Sequence, residues 1–368
     1  MSDPSPEMAT SLARNVLSKS LRVRKGEDVV IEAWSESLPW AKPFVVEARK
    51  MGANPMLLYE DEESFWAALA AGNGKSTGRV GQHEWATLAN SAAYVFFFGP
   101  SEWPRADDLP AKNRAGVAAY NREWYQRSAK VKVRGARMYL GRTSQLSADR
   151  WKLDLDAWRD ELVRASLVPP ADMNRMGKRI GTRMQKGKRV TVSHPNGTDL
   201  SFRLARTPVQ LDDGLVDDAD LKLGQNMAAI PGGVVGICVD PASPNGTVTG
   251  NHVTYPDSGP VRGTHWEFSD GHLTEQSYEA GGEPILKAYA KAPKNGRDRL
   301  GYFSIGLNPE ITNLPQMEDQ ELGAVLLQLG NNTFRGGTVK SPFGVWMVVK
   351  GATVSIDGKP VVQDGRVV

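Results

Sequence analysis

The sequence predicts an α/β fold in two parts. Residues 1–174 read as an N-terminal α/β domain with a mostly parallel sheet, and residues 175–368 as a C-terminal β-rich α+β domain. Three observations lead there. Short apolar runs alternate with helical patterns through the first half, as βαβ units require. Hairpin signals built on Asn-Gly and Asp-Gly crowd the second half. The chain has 368 residues, more than the roughly 100–150 of a typical domain.

Residues 8–21 are amphipathic and Lys25-Gly26-Glu27 is a turn. Residues 28–34 form an apolar strand, 38–51 a helix closed by Gly52, and 55–60 a second strand. Residues 64–71 are helical, and 92–98 are a third strand ended by Gly99-Pro100. A long helix over 111–129 precedes a fourth strand at 136–140. Strands of this length between helices pair in parallel. Residues 175–189 hold seven basic side chains in fifteen positions and read as the solvated face of a connecting helix. Residues 189–194 and 199–204 make a hairpin around Asn196-Gly197, and 264–268 and 272–278 make another around Asp270-Gly271. Residues 346–350, 352–356 and 361–362 continue in strands around Asp357-Gly358.

Composition excludes several classes. Apolar residues are 40% and charged residues 24%, as in ordinary globular chains. Five His and one Cys rule out a zinc site of four cysteines, one of two cysteines and two histidines, and any intrachain disulfide. Cys238 lies in an apolar run and reads as a small buried hydrophobe. A net charge of +3 gives no global field for nucleic acid. No apolar run reaches the roughly 20 residues of a membrane span. The first residues lack the pattern of a signal peptide, so a cytoplasmic enzyme is the expectation.

Familiar motifs fail. Residues 72–77 suggest a phosphate-binding loop, but the glycine required five positions before Gly74 is Leu69. No G-x-S-x-G or H-E-x-x-H occurs. His265 and Glu267 share a strand face, and His252 would complete an iron triad. Exposed polar residues are equally routine in such a hairpin. His83, His194 and His272 read as solvated or capping residues.

Residues 21–32, with LRVRKGEDVVIE, and 50–55, with KMGANP, resemble the thermophilic metalloaminopeptidases of the aminopeptidase T family. The resemblance continues through residues 197–202, 226–232, 245–248, 305–309, 323–330, 357–359 and 364–365. It implies an N-terminal α/β domain, a β-rich C-terminal domain and a homo-oligomer. It also implies two metal ions held by carboxylates and histidines, and this chain departs there. The matching positions carry Gly233, Tyr302, Leu326, Gly344 and Trp346, and the family's catalytic tyrosine falls near Thr333 or Phe334. Divalent cations need oxygen or imidazole donors, so no metal and no cofactor is expected.

Aromatic and apolar replacements suit a flat organic ligand. The family resembled includes iron-dependent dihydroxypyridine dioxygenases and 2-nitroimidazole nitrohydrolase. The expectation is therefore a metal-free hydrolase of a small electron-poor heteroaromatic, with hydrolytic denitration of 2-nitroimidazole to imidazolone plus nitrite as the leading case. Its partners would be the aromatic substrate and water, with neither nucleic acid nor membrane. Asp240 and His265 are candidate bases, Tyr302, Asn331 and Lys340 further catalytic candidates, and Asn308, Arg335, Phe334 and Trp346 candidates for holding substrate. Each has a plainer role: Asp240 before a proline in a turn, Asn331 capping a reversal, Arg335 and Lys340 as surface charges, Trp346 as core. An iron ring-cleaving dioxygenase, an aminopeptidase and a non-catalytic binding protein remain alternatives.

Overall fold

Val29, Ile31 and Ala33 alternate along the strand Asp28–Trp34, and all three are buried. In the computed structural model this strand is the second of a five-stranded, all-parallel sheet. The described residues are 5–72, 75, 77–131, 133–250, the backbone of 252–254, 261–312 and 314–368. The side chain of His252, and Asn73, Gly74 and Ser76 of the rejected phosphate loop, lie outside them.

Two compact units divide the chain: residues 1–170 with 214–232, and residues 171–213 with 233–368. The single boundary expected at 174/175 misses the return of residues 214–232 to the first unit.

The first unit orders its strands Asn54–Glu60, Asp28–Trp34, Ala93–Phe97, Arg134–Met138 and Met227–Ile230. Four were expected from apolar runs. The fifth comes from the returning segment. The first three crossovers are helical, as parallel pairing favours, and the last runs through helices and strands that include residues of the second unit. One sheet face packs Ile31 and Phe97 under the helices Pro6–Asn15 and Leu38–Lys50, where Phe44 and Phe97 meet edge to face at 5.5 Å. The other face carries Val30, Tyr94 and Phe96 against Trp124 and Leu88. Asp61 caps the helix Glu62–Ala71 by accepting from the Ser64 N–H at 2.8 Å.

The second unit is a sandwich of an eight-stranded and a six-stranded antiparallel sheet. Both expected hairpins form, as Arg189–His194 with Thr198–Arg203 and Thr264–Ser269 with His272–Ser277. Asp270-Gly271, Asp357-Gly358 and Asp364-Gly365 all have positive φ at both residues, the geometry of tight hairpin turns. Phe202 of one sheet packs on Phe303 of the other at 5.3 Å. The helix Pro170–Lys186 buries Met173, Ile180 and Met184 and turns its basic residues to solvent, as expected. Gly177 permits close approach to the strand Gln210–Asp212, since a Cβ there would lie 2.3 Å from Leu211. Among the described residues no helix is long and apolar enough to cross a membrane.

Asn226 ties the fifth strand into the parallel sheet. Its buried amide nitrogen faces the carbonyls of Ser128, Val131 and Val133 at 2.9–3.3 Å. Asn226→Ala strands these acceptors and is expected to lower stability by about 2 kcal/mol in urea unfolding.

Candidate active site

Pairing register brings one row of side chains together on the outer face of the six-stranded sheet. Cys238 pairs with Tyr302, Tyr302 with Gln328, and Gln328 with Trp346. A second row on the same face runs Gly236, Ser304, Leu326 and Val348. Alternation along each strand makes these rows one surface. The opposite face, with Phe303, Leu327 and Met347, supplies the sandwich core. The outer face is also buried: Tyr302 and Ser304 are 1% exposed and Gln328 is fully covered.

Gly236 is what admits the Tyr302 ring, because a Cβ at that position would sit 2.3 Å from the phenol oxygen. Arg335 lies over the ring, its guanidinium carbon 3.9 Å from the centroid. Gln210 clamps Arg335 reciprocally: its Oε1 accepts from Arg335 Nη1 at 2.9 Å, and its Nε2 donates to the Arg335 carbonyl at 3.3 Å. Trp346 Nε1 donates to Gln328 Oε1 at 3.1 Å, and Gln328 Nε2 donates to the Asn331 carbonyl. Three polar atoms here are buried without a hydrogen-bond partner: Tyr302 Oη, Ser304 Oγ and Arg335 Nε. Such orphans are rare and costly, each about 1–3 kcal/mol.

Asp319 lies within electrostatic reach of Arg335, and Asp212 within reach of Asp319 and Tyr302. Burial raises the Asp319 carboxyl to about 6, against the opposing pull of Arg335 and with a contribution from Asp212. Burial also raises the thiol of Cys238 and the phenol of Tyr302. The Gln320 carbonyl accepts from the Asn308 N–H at 2.9 Å and anchors the turn that carries Asp319.

The expected residues divide. Tyr302, Arg335 and Trp346 come together, with Phe334 at the rim, 62% exposed and 5.1 Å from Arg335. Asn331 joins through its carbonyl, while its side chain accepts from Thr333 Oγ1 at 3.0 Å. Asn308 is fully buried and its Oδ1 accepts from the Glu310 N–H at 3.0 Å, a structural role. Asp240 is not brought to the face: it binds Arg203 at 2.8 and 3.0 Å and caps the Ala242 N–H. His265 stands on the eight-stranded sheet and bonds Thr249 Oγ1 at 3.1 Å. Lys340 is exposed. Sequence reasoning missed Asp319, Asp212, Ser304 and Gln328. Strand alternation from Tyr302 and Leu326 points to Ser304 and Gln328, whereas the two aspartates lie in segments without periodicity.

Tyr302, Leu326, Gly344 and Trp346, which stand where the sequence resemblance implies two-metal ligands, offer no carboxylate or imidazole on these strands. Among the described residues no group of three His, Cys, Asp or Glu has a geometry that holds a metal ion.

The chain superposes on AmpT from Thermus thermophilus with a TM-score of 0.71 at 17% identity, covering 98% of this chain and 99% of that one. The fold is aminopeptidase T-like. It also matches a 2,5-dihydroxypyridine dioxygenase from Pseudomonas putida, with a TM-score of 0.65 at 15% identity, covering 99% of this chain and 98% of that one. No protein-family model matches the sequence, and no curated relative does.

The first unit holds its own perturbed carboxylates. Glu32 accepts from the Tyr94 hydroxyl, and Glu84 from the Tyr120 hydroxyl at 2.6 Å. Burial raises Glu32 to about 7, with Glu84 and Glu60 adding repulsion. Burial likewise raises Glu84 and Glu60.

Two measurements follow. Tyr302→Phe removes an orphan hydroxyl, so thermal stability is expected to hold or rise by up to about 1 kcal/mol. A loss above about 1 kcal/mol would instead reveal a structural hydrogen bond. For Glu32 the folded state holds its proton more tightly than the unfolded state. Its destabilisation is absent below the ordinary carboxyl value of 4.5, grows with pH, and is complete above about 7. Glu32→Gln is therefore expected to flatten the stability-pH profile between those limits, by at most about 3 kcal/mol in urea titrations.

Proposed function

We propose that the protein is a metal-independent hydrolase of a small, electron-poor heteroaromatic compound, with 2-nitroimidazole denitration as the reading taken furthest. The observation that carries it is the set of orphan polar atoms, Tyr302 Oη, Ser304 Oγ and Arg335 Nε, on a buried aromatic face beside Asp319. A ligand with an aromatic ring and polar substituents would satisfy them. One protein of the same fold is named for a reaction on a pyridine ring.

In this reading Asp319 replaces Asp240 and His265 as the general base. A carboxylate raised toward neutrality suits proton abstraction from water. Asp319 takes one water proton as the C–O bond forms at the ring carbon bearing the nitro group. Arg335 and Tyr302 stabilise the negative charge that develops. The C–N bond then breaks with its electron pair leaving on nitrite. The remaining water proton moves to a ring nitrogen, giving the imidazolone, and Asp319 returns its proton to solvent. Trp346, held by Gln328, and Phe334 flank the ring.

Purified protein stripped with chelator is expected to release nitrite from 2-nitroimidazole. Stoichiometric iron or zinc required for turnover would sink this reading, and no turnover across a panel of nitro- and amino-heteroaromatics would favour a binding protein. The base must be ionised, so kcat/KM is expected to rise with pH and level off above about 6. Asp319→Asn should lower kcat roughly 100-fold or more, and Arg335→Met roughly 10²-fold, with the fold intact by circular dichroism.

A further inference from the structure

The chemistry proposed above leaves one buried group of the sheet face without a task. Ser304 is 1% exposed and its hydroxyl has no hydrogen-bond partner. It pairs with Gly236 of the neighbouring strand, and Gln210 pairs with Gly236 from the other side. Tyr302 belongs to the adjacent row, yet its ring leans across. A Cβ at Gly236 would meet the phenol oxygen at 2.3 Å, so that oxygen stands on the row of Ser304. Gln210, at the far end of the same row, fixes Arg335 with hydrogen bonds of 2.9 and 3.3 Å. Register and clamp together gather Tyr302 Oη, Ser304 Oγ and Arg335 Nε around one glycine, and none of the three bonds another.

Hydroxyls rotate to donate or accept, whereas an arginine Nε–H only donates. A ligand group placed here must therefore offer acceptors. Asp319 and Asp212, both within electrostatic reach of Tyr302, disfavour a further anion, so the acceptor group is neutral. A flat neutral substituent with two partly negative oxygens, such as a nitro group, meets both conditions. An amino group sets N–H against N–H, and a halogen is a weak single acceptor. Resting on the hydrolase reading above, we infer that Ser304 sets substituent specificity at this site. Its hydroxyl and that of Tyr302 donate to one oxygen of the ring substituent, while Arg335 Nε holds the other. A ring whose substituent leaves these buried groups unpaired is rejected.

The test uses the full chain in the Asp319→Asn background, where slowed turnover lets binding be measured. 2-Nitroimidazole and 2-chloroimidazole share a ring and differ in the substituent. In calorimetry Ser304→Ala is expected to weaken binding of the nitro compound roughly 10-fold and that of the chloro compound less than about twofold. The near-ultraviolet band of the bound nitro compound is expected at shorter wavelength in Ser304→Ala than with Ser304 in place, because one donor to its oxygens is gone. Removing an unpaired hydroxyl breaks no native bond, so the melting temperature is expected to hold or rise. A lower melting temperature, equal losses for both rings, or unchanged affinity for the nitro compound overturns the assignment of Ser304. The hydrolase reading then stands or falls on nitrite release alone. Protein that binds neither ring and releases no nitrite overturns both.

Discussion

Arg335 stacked on the Tyr302 ring organises the second unit's outer sheet face. A guanidinium held over a phenol at 3.9 Å requires that the ring be fixed, and the missing Cβ of Gly236 leaves room for its phenol end. It requires that the cation be fixed from the side, which Gln210 does with two hydrogen bonds. The half-buried cation in turn acts on a nearby carboxylate, and Asp319 stays closer to ionisation than its burial alone would allow. Remove the stack, and the orphan hydroxyls of Tyr302 and Ser304 lose the geometry that makes them a set.

The two faces of the six-stranded sheet show how one strand serves two purposes. Odd positions such as Phe303, Leu327 and Met347 satisfy the sandwich core by apolar burial. Even positions such as Tyr302, Ser304 and Gln328 are equally buried but polar, which destabilises a fold unless a partner is found. Native interiors tolerate few such atoms. Their concentration beside one arginine distinguishes this face from a solvated sheet surface, where the same residue types would be routine.

Local features were legible in the sequence, and non-local ones were not. The strand Asp28–Trp34 and the turns at Asp270-Gly271 and Asp357-Gly358 are set by neighbours in the chain, so pattern and turn chemistry sufficed. Tyr302 and Trp346 were found because they sit at strand positions with a recognisable counterpart. Met227–Ile230 pairs with Arg134–Met138 some ninety residues earlier, and no local pattern announces that. Asp319 lies in a short turn, where burial rather than spacing gives the carboxyl its character. Asp240 and His265 carried suitable chemistry, but each is held by a neighbour, Arg203 or Thr249, that only the fold reveals.

The return of residues 214–232 to the first unit also constrains how this protein can be made. The ribosome releases the four strands of the parallel sheet through Met138 long before the one that completes it. Residues 171–213, belonging to the second unit, must emerge in between. Until Met227–Ile230 arrives, Arg134–Met138 is a nascent edge with unpaired backbone. No single cut of the gene yields either unit whole, and a product ending near residue 174 would carry that open edge permanently.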